Sequence, residues 1–339
     1  MEQKKKRRLT KKQIISIAFS LFVAFSVIVL LILNAFIPVK YLSAYTVDKD
    51  FNVKGQTRVS FLDVGFGDST LIELPDGKVV LIDGGNGTYT NNIKLLKGLN
   101  KRGIDEIDYL FCSSVSDEAC GGLSDILKYK KVKKIFAPYC NNKYITDGYR
   151  SFYTELKDKD IKTQICEYGV GVFNKQANYT LCVISPSSHK NESGEYADLN
   201  ASNTEKNIKN ASAVFWFECG GVSFLFLGNT GRAVQQKIVK NYTEIGIEMF
   251  GKNIDLSSCS VLKVSDNGSA DGSYPPLYDL VLPETAIISV GSNGRGCPSL
   301  ACLGDAQNYV KDKLYRTDLD GTVTVTVSDG KYSVGKEKI

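Results

Sequence analysis

The sequence is poor in histidine: its 339 residues include one histidine, one tryptophan and two methionines. That histidine, His189, lies in the segment 185–210, which has almost no apolar residues and is typical of a solvated surface loop. We therefore expect His189 to be solvated rather than functional. A site built from several imidazoles, or from a histidine base beside a nucleophile, is not predicted.

The chain also lacks a general excess of positive charge. The first twelve residues hold seven Lys/Arg and one Glu, which leaves 35 basic and 36 acidic residues for the rest of the chain. Strong non-specific nucleic-acid binding needs clustered cations and is not indicated overall. One cluster exists, KYKKVKK from Lys128 to Lys134. We interpret it as a solvated helix end and the following turn, with DNA contact as the alternative.

One long apolar run stands near the start of the chain. From Ile14 to Leu33 twenty positions carry no charge, which at about 1.5 Å per residue matches a bilayer core of about 30 Å. We predict a basic cytoplasmic tail (1–12), a membrane anchor (13–37), a linker (38–56) and an extracytoplasmic domain (57–339). The alternative is a cleaved signal peptide, but Leu42-Ser43-Ala44 is a poor cleavage site.

All nine cysteines fall in the predicted extracytoplasmic part, where disulfides are chemically allowed. An odd number leaves at least one unpaired, and the pairing cannot be read from the sequence. There is no C-x-x-C motif, so a metal module based on cysteine spacing is not predicted. Cysteines in apolar strand-like runs are expected to act as small buried hydrophobes. The nine are Cys112, Cys120, Cys140, Cys166, Cys182, Cys219, Cys259, Cys297 and Cys302.

Short strand patterns dominate the predicted domain and alternate with helices. RVSFLDVG, STLIEL and KVVLIDGG predict antiparallel strands, and NNIKLLKGLNKRG predicts an amphipathic helix. Later segments predict a strand pair around Gly220-Gly221, helices at about 231–240 and 304–314, and a closing strand pair. Strands in two blocks, each with helices, predict an α/β fold with two sheets packed face to face between helical layers.

In this order the segments resemble the metallo-β-lactamase superfamily, and within it the extracytoplasmic domain of the ComEC family of bacterial competence (DNA-uptake) proteins. The resemblance covers about residues 57–334 and implies the αββα four-layer sandwich of that superfamily, preceded here by one transmembrane helix. It is carried by VSFLDVGFGDSTLIELPDGKVVLIDGG, GIDEIDYLFCSS, NASAVFWFECGGVSFLFLGN and LYRTDLDGTVTV.

The departures from the family pattern fall at its metal ligands. The family's Thr-His-x-His-x-Asp-His-x-Gly-Gly, aligned on Gly121-Gly122, places serines at the first two histidines, Glu118 at the aspartate and Ala119 at the third histidine. The metal-bridging aspartate becomes Asn229, and Gly-His-His-Gly-Ser becomes residues 265–269. The resemblance therefore implies a vestigial cleft lined by Ser114, Ser116, Asp117, Glu118, Asn229, Asp266 and Asn267.

A zinc-type centre needs imidazole, thiolate or carboxylate donors, which serine and alanine do not supply. The resemblance with these losses implies a catalytically inactive binding or scaffolding domain without a cofactor, whose cleft is a water-filled relic or a ligand site. The alternative is a hydrolase of phosphodiesters or other esters that uses Zn, Mn or Mg. Asp68 and Asp83, read first as caps of backbone N–H groups, would then add carboxylates to the site.

Cys120 and Cys297 have two further possible roles at the cleft. They could act as thiolate ligands or as a nucleophile, although neither has a histidine base outside the loop around His189. If they meet across the old cleft, we expect a disulfide that replaces the metal as a staple. The predicted partners are the membrane, through Ile14 to Leu33, and a protein or ligand at the extracytoplasmic face.

Overall fold

The computed structural model describes residues 10–36, 41–45, 55–139, 146–188 and 204–337. Most of the predicted tail and linker, His189 and Cys140 lie outside these residues. The chain divides into two compact units, Met1–Val47 and Asp48–Ile339. In the first unit, helix α1 (Lys11–Phe36) contains a 24-residue stretch, Lys11–Asn34, that is long and apolar enough to cross a membrane, with a mean hydropathy of 2.9 over an 18-residue window. A short helix, α2 (Leu42–Tyr45), follows.

Among its described residues, the second unit has two large sheets and one small hairpin. The first half of the unit has the strands β1 (Thr57–Phe61), β2 (Thr70–Glu73), β3 (Val79–Ile82), β4 (Glu106–Phe111), β5 (Lys131–Ala137), β6 (Thr163–Ile165), β7 (Gly171–Asn174) and β8 (Tyr179–Ser185). The second half has β9 (Val214–Cys219), β10 (Val222–Phe226), β11 (Ile247–Met249), β12 (Lys252–Ile254), β13 (Val261–Lys263), β14 (Thr285–Ile288), β15 (Lys313–Arg316), β16 (Thr322–Ser328) and β17 (Lys331–Glu337).

Helices of the second unit lie between these strands in the sequence. They are α3 (Tyr89–Lys101), α4 (Asp117–Cys120), α5 (Leu123–Tyr129), α6 (Asp147–Asp158), α7 (Thr204–Ala211), α8 (Arg232–Glu244), α9 (Pro275–Val281), α10 (Leu300–Tyr309) and α11 (Thr317–Asp320). The helix predicted at about 304–314 is present, but its bounds are Leu300 and Tyr309. The α10 helix begins earlier because the Ser299 hydroxyl accepts a hydrogen bond from the Cys302 N–H. Leu314 lies beyond the helix, in β15, where it pairs with Ala286 of β14.

Within the described residues the first sheet has the order β17-β16-β1-β2-β3-β4-β5-β6 and the second has the order β15-β14-β13-β10-β9-β8-β7. The pairs β1–β2 and β2–β3 are antiparallel, as the turn residues predict. From β3 to β6 the strands run parallel, and so do β10, β13, β14 and β15. The carboxyl ends of β4, β10 and β13 carry the loops that form the candidate site.

The main core lies between the two sheets. Phe111 of the first sheet packs edge-on against Phe215 of the second, with ring centroids 5.4 Å apart. Side chains alternate across a strand, so Phe215 and Phe217 face this core while Trp216 between them faces the second core. That second core joins the sheet to α8, α9 and α10. Helix α3 buries Leu95, Leu96 and Leu99, and α5 contacts β5, on the outer side of the first sheet. The predicted αββα layering is therefore confirmed.

Candidate functional site

Five of the seven predicted cleft residues line one cavity. Ser116, Asp117 and Glu118 lie between β4 and α5, Asn229 follows β10 and Asp266 follows β13. Parallel strands bring these three loops to the same edge of their sheets. We call this cavity, of about 490 Å³, the polar cup; its other lining residues are Thr146, Glu205, Ile208, Lys209 and Arg295.

Two carboxylates of the polar cup form ion pairs with cations of the same chain. Glu118 Oε1 lies 2.7 Å from Arg295 Nη1, and Asp266 Oδ2 lies 3.0 Å from Lys209 Nζ. Lys209 also approaches Asp271 at 3.2 Å. Burial acts against the charged amine, but the carboxylates of Asp266 and Asp271 outweigh it and raise the pKa of Lys209. The cup therefore already contains the positive charge that balances these two acidic side chains.

The remaining cleft residues are held mainly by neighbours. Ser114 lies outside the cup lining, where its hydroxyl accepts hydrogen bonds from the Ser212 hydroxyl at 3.0 Å and the Ser116 N–H at 3.2 Å. Asp117 Oδ1 accepts from the Gly148 N–H at 2.7 Å. Asn267 is buried and donates to the Ser289 carbonyl. The Ser116 hydroxyl is buried and has no hydrogen-bond partner among the described residues.

A buried ion pair lies beneath the cup. Lys263 Nζ of β13 is 2.7 Å from Asp68 Oδ2, and both side chains are at most 5% exposed. Asn267 donates a second hydrogen bond to the same carboxylate at 3.2 Å. Burial raises the pKa of Asp68, and Lys263 acts in the opposite direction. The prediction that Asp68 caps a backbone N–H group is wrong, because its partners in the described chain are these side chains.

Asp83, at the end of β3, does cap a strand end. Its two carboxylate oxygens accept from the Ser113 N–H at 2.7 Å and the Ser113 hydroxyl at 2.6 Å. Burial raises the pKa of Asp83 from 3.8 to about 7, and the hydrogen bonds from Ser113 offset only part of that effect. The capping role predicted from the sequence is confirmed for this residue.

The donor set does not fit a zinc-type centre. Of the positions that the resemblance assigns to metal ligands, Ser114 is hydrogen-bonded to Ser212, Ala119 has no donor atom, and Asn229 brings no charge. Glu118 and Asp266 are already paired with cations. Among the residues that the structure describes, no three His, Cys, Asp or Glu side chains come together to hold a metal ion. Such an ion needs nitrogen, thiolate or carboxylate donors to offset its desolvation.

The glycines of the old motif have a packing role that does not depend on metal. A Cβ atom on Gly122 would lie 2.1 Å from the Gly84 carbonyl oxygen, and one on Gly121 would lie 2.3 Å from the Asn86 carbonyl carbon. The motif segment therefore contacts the loop after β3 backbone to backbone. Because this contact needs glycine and not metal, the backbone of the motif can keep its conformation without the metal ligands.

Sequence reasoning missed three cations: Lys209, Lys263 and Arg295. A lysine within the apolar run VLKVS was a signal that something acidic is buried opposite it, because a buried lysine is nearly always paired. Lys209 lies outside the family segments, and no sequence pattern marks it. Arg295 begins RGCPSL, where the resemblance places the family's late His-Pro-His segment, but that pattern does not predict a cation for the cup. Lys209 and Arg295 reach the cup only through the tertiary fold.

The lysine cluster at 128–134 is divided between two elements. Lys128 belongs to α5, whereas Lys131, Lys133 and Lys134 lie in β5, so the prediction of a turn there is wrong. Lys131 and Lys133 pair with Glu106, and Lys133 also pairs with Asp108 at 2.8 Å. Lys128 pairs with Glu155 at 3.3 Å. Neighbouring carboxylates thus offset much of the positive charge of this cluster.

The thiols are arranged differently from the predicted staple. Cys120 is fully buried and donates to the Ser116 carbonyl, while Cys297 is partly exposed near Asp266 and Arg295. Eight cysteines are described, and all eight are free thiols. Cys120 and Cys297 therefore do not form the disulfide that was expected if they meet across the cleft.

The fold is that of a metallo-β-lactamase-fold protein: two facing sheets lie between helical layers, and the site loops follow the carboxyl ends of β4, β10 and β13. The described ligand positions of this fold carry no histidine here. In sequence the chain is similar to ComE operon protein 3 of Bacillus subtilis (strain 168), with 25% identity over 287 residues. The match covers 80% of this chain and 33% of that protein, so the chain spans about a third of its relative's length. The resemblance read from the sequence is confirmed. No family model matches the chain.

Several solved structures are similar to this chain, among them one from Bacillus subtilis and one from yeast. The metallo-beta-lactamase fold protein YhfI from Bacillus subtilis has 7% identity and a TM-score of 0.44, and covers 82% of this chain and 100% of its own. Unliganded yeast PDE1 has 11% identity and a TM-score of 0.46, with 77% and 97% covered. TM-scores of this size support no closer relation, and the fold assignment rests on strand order and layering.

Proposed function

We propose that this chain is a membrane-anchored extracytoplasmic domain that has lost hydrolytic activity and serves in binding or scaffolding. The observation that carries the proposal is the donor set of the polar cup. At the positions that the resemblance assigns to metal ligands the chain has serine, alanine and asparagine, and Glu118 and Asp266 are paired with Arg295 and Lys209. Without a metal, no bound water is acidified and no scissile oxygen is polarised.

Metal retention tests this proposal directly. The full-length protein, purified in detergent, is exposed to zinc, manganese or magnesium, passed through a desalting column and analysed for metal content. We expect far less than one ion per chain. The matched control restores the family residues with Ser114→His, Ser116→His, Ala119→His and Asn229→Asp together, and we expect it to retain more zinc. If the unchanged protein retained about one metal ion per chain, the proposal that it has lost hydrolytic activity would be contradicted.

The alternative of a metal-dependent hydrolase has its own signature. Phosphodiester or ester turnover that requires an added divalent metal, and that is lost in Glu118→Ala, would replace the proposal with an enzyme. Lys240→Ala, an exposed position on α8, is the matched control for that variant. The ion pair of Glu118 with Arg295 argues against this alternative, because a metal would have to displace the guanidinium.

The membrane arrangement is supported by α1 and by the seven basic residues at the start of the chain. Basic residues flanking a span favour the cytoplasmic side, which would place residues 57–339 outside. We expect protease added to intact cells to digest this domain. A domain that the protease spares would show that the chain faces inward. The mass of the mature N-terminus distinguishes an uncleaved anchor from a cleaved signal peptide.

The partner of the domain is proposed to be a protein or ligand rather than DNA. Carboxylates accompany most of the lysines in the 128–134 cluster, which weakens the electrostatic attraction of that surface for phosphates. A salt-dependent shift of DNA that is abolished by replacing Lys128, Lys131, Lys133 and Lys134 would reverse this preference.

A further inference from the structure

An exposed group of aromatic side chains lies at the β7 edge of the second sheet. Phe173 of β7 and Phe250, in the turn between β11 and β12, stack with ring centroids 4.8 Å apart, yet they are 57% and 43% exposed. Tyr168 is 40% exposed, and its hydroxyl donates to the Glu248 carbonyl of β11 at 3.2 Å. We call Tyr168, Phe173 and Phe250 the aromatic patch. An exposed apolar cluster of this kind is typical of an interaction surface.

The aromatic patch lies at the end of the second unit where β1 begins. Within the second sheet, Phe173 pairs with Thr180, and Thr180 pairs with Glu218. The residue after Glu218, Cys219, contacts the hydroxyl of Thr57 at 2.9 Å, and Thr57 is the first residue of β1. The patch is therefore close to the point at which the chain coming from α1 enters the domain.

The polar cup lies at the opposite end of the same sheet. Strand β10 runs from Val222, which pairs with Cys219, to Phe226, and the cup residue Asn229 follows it. The other cup loops follow the carboxyl ends of β4 and β13. A surface that contacts the aromatic patch consequently leaves the polar cup open.

We propose that the aromatic patch docks on the surface of the bilayer that α1 spans. This inference rests on the proposed membrane anchor, because the chain before β1 ties this end of the domain to it. Residues 37–54 join α1 to Gly55, and these eighteen residues reach at most about 65 Å when fully extended. Aromatic rings favour the membrane–water interface. Lys175, exposed in the turn after β7, adds positive charge for anionic headgroups, whereas Lys252 is paired with Glu218.

Docking of this kind fixes the direction in which the polar cup faces. A domain held only by its tether can rotate freely above the lipid. A second contact at the aromatic patch holds that end of the domain against the bilayer and directs the cup, at the other end, away from it. A binding or scaffolding domain gains from this arrangement because its ligand site stays clear of the lipid.

Tryptophan substitution tests whether the patch contacts lipid. Full-length protein with Phe250→Trp is reconstituted into nanodiscs of phosphatidylcholine and phosphatidylglycerol, with or without bromine on the acyl chains near the headgroup. Interfacial side chains enter about 5–10 Å into the boundary of headgroups and acyl chains, so bromine at this depth should reduce the added fluorescence about twofold or more. The unchanged protein gives the background from Trp216, which is 1% exposed. Phe173→Trp, in a regular strand, is the second probe if Phe250→Trp does not fold.

Two control variants separate docking from the anchor on which it rests. Phe25→Trp, within α1, reports the span itself and should be quenched. Leu300→Trp replaces a residue that is 88% exposed at the start of α10, beside the loop that carries the cup residue Arg295, and should not be quenched.

The outcomes that contradict docking are distinct. Quenching of Phe25→Trp without quenching of the two patch probes would overturn docking and leave the anchor intact. No quenching of Phe25→Trp would overturn the anchor and docking together. A blue shift of Phe250→Trp without quenching by bromine would show contact with protein, such as a second copy of the chain, and would overturn lipid docking. Equal quenching of Leu300→Trp would overturn it too.

Discussion

Asp83 gives a prediction whose size follows from the structure. Its carboxylate is buried at the end of β3. Within the described part of the chain, the hydrogen-bond donors to this carboxylate are the Ser113 N–H and the Ser113 hydroxyl. Asn at this position keeps the geometry: its Oδ1 accepts from the Ser113 N–H, and its Nδ2 donates to the Ser113 hydroxyl. Asp83 has a φ of 63°, in the left-handed region, which asparagine tolerates better than most residues. Asp83→Asn therefore removes the charge with little other change.

The pKa of Asp83 is about 7 in the folded protein and near 3.8 in the unfolded chain. A folded-state pKa raised in this way means that folding favours the protonated acid, so stability is lost as pH rises from about 4 to about 7. Each pKa unit corresponds to about 1.4 kcal/mol, so a difference of about three units amounts to about 4 kcal/mol. Asp83→Asn is expected to differ little from the unchanged protein near pH 4 and to be more stable by up to about 4 kcal/mol at pH 8.

Urea unfolding followed by tryptophan fluorescence measures this effect, because Trp216, the single tryptophan, is 1% exposed in the second core. Midpoints are compared from pH 4 to pH 8 for both proteins in the same detergent. Asp279→Asn, which removes an exposed carboxylate on α9, is the matched control and should follow the unchanged protein. A difference between Asp83→Asn and the unchanged protein that stays constant across this range would refute the assignment of a raised pKa.

Two further predictions concern packing and charge. Lys263→Met leaves Asp68 buried without its cation and should reduce the free energy of unfolding by about 3–5 kcal/mol. Adding Asp68→Asn should recover much of that loss in a urea titration, and no recovery would show that the two residues are not coupled. Gly122→Ala places a Cβ atom 2.1 Å from the Gly84 carbonyl and should lower the thermal midpoint strongly or prevent folding. Gly304→Ala meets no atom within 4 Å and should stabilise α10 by up to about 1 kcal/mol, so equal effects of the two substitutions would contradict the packing argument.

The strand framework could be predicted from the sequence because the signals are local. Turns rich in Gly, Asp and Pro separate β1, β2 and β3, and the apolar runs in β9 and β10 flank Gly220-Gly221. The helix predicted at about 304–314 lies earlier in the chain, at Leu300–Tyr309. The actual start at Ser299 follows a cis-proline segment with little periodicity.

The candidate site was predictable only in part. The family segments locate Ser116, Glu118, Asn229 and Asp266, and the structure brings these four into one cavity. The cations that neutralise the cup come from α7 and from the loop before α10, which are far apart in sequence. Charge pairing between distant segments depends on tertiary structure, so composition and periodicity could not reveal it.

The two ion pairs of the polar cup contribute unequally to the exclusion of metal. The Arg295 side chain is 67% exposed, so water screens its pair with Glu118, and a surface pair of this kind contributes about 1 kcal/mol or less. The Lys209 side chain is 14% exposed and contacts both Asp266 and Asp271, which makes it harder to displace. Neither pair approaches the binding free energy of a structural zinc site, about 10–16 kcal/mol. The main reason that the cup excludes a metal ion must therefore be the missing imidazole nitrogens. Because Arg295→Met does not restore them, this variant alone should not bind metal stoichiometrically.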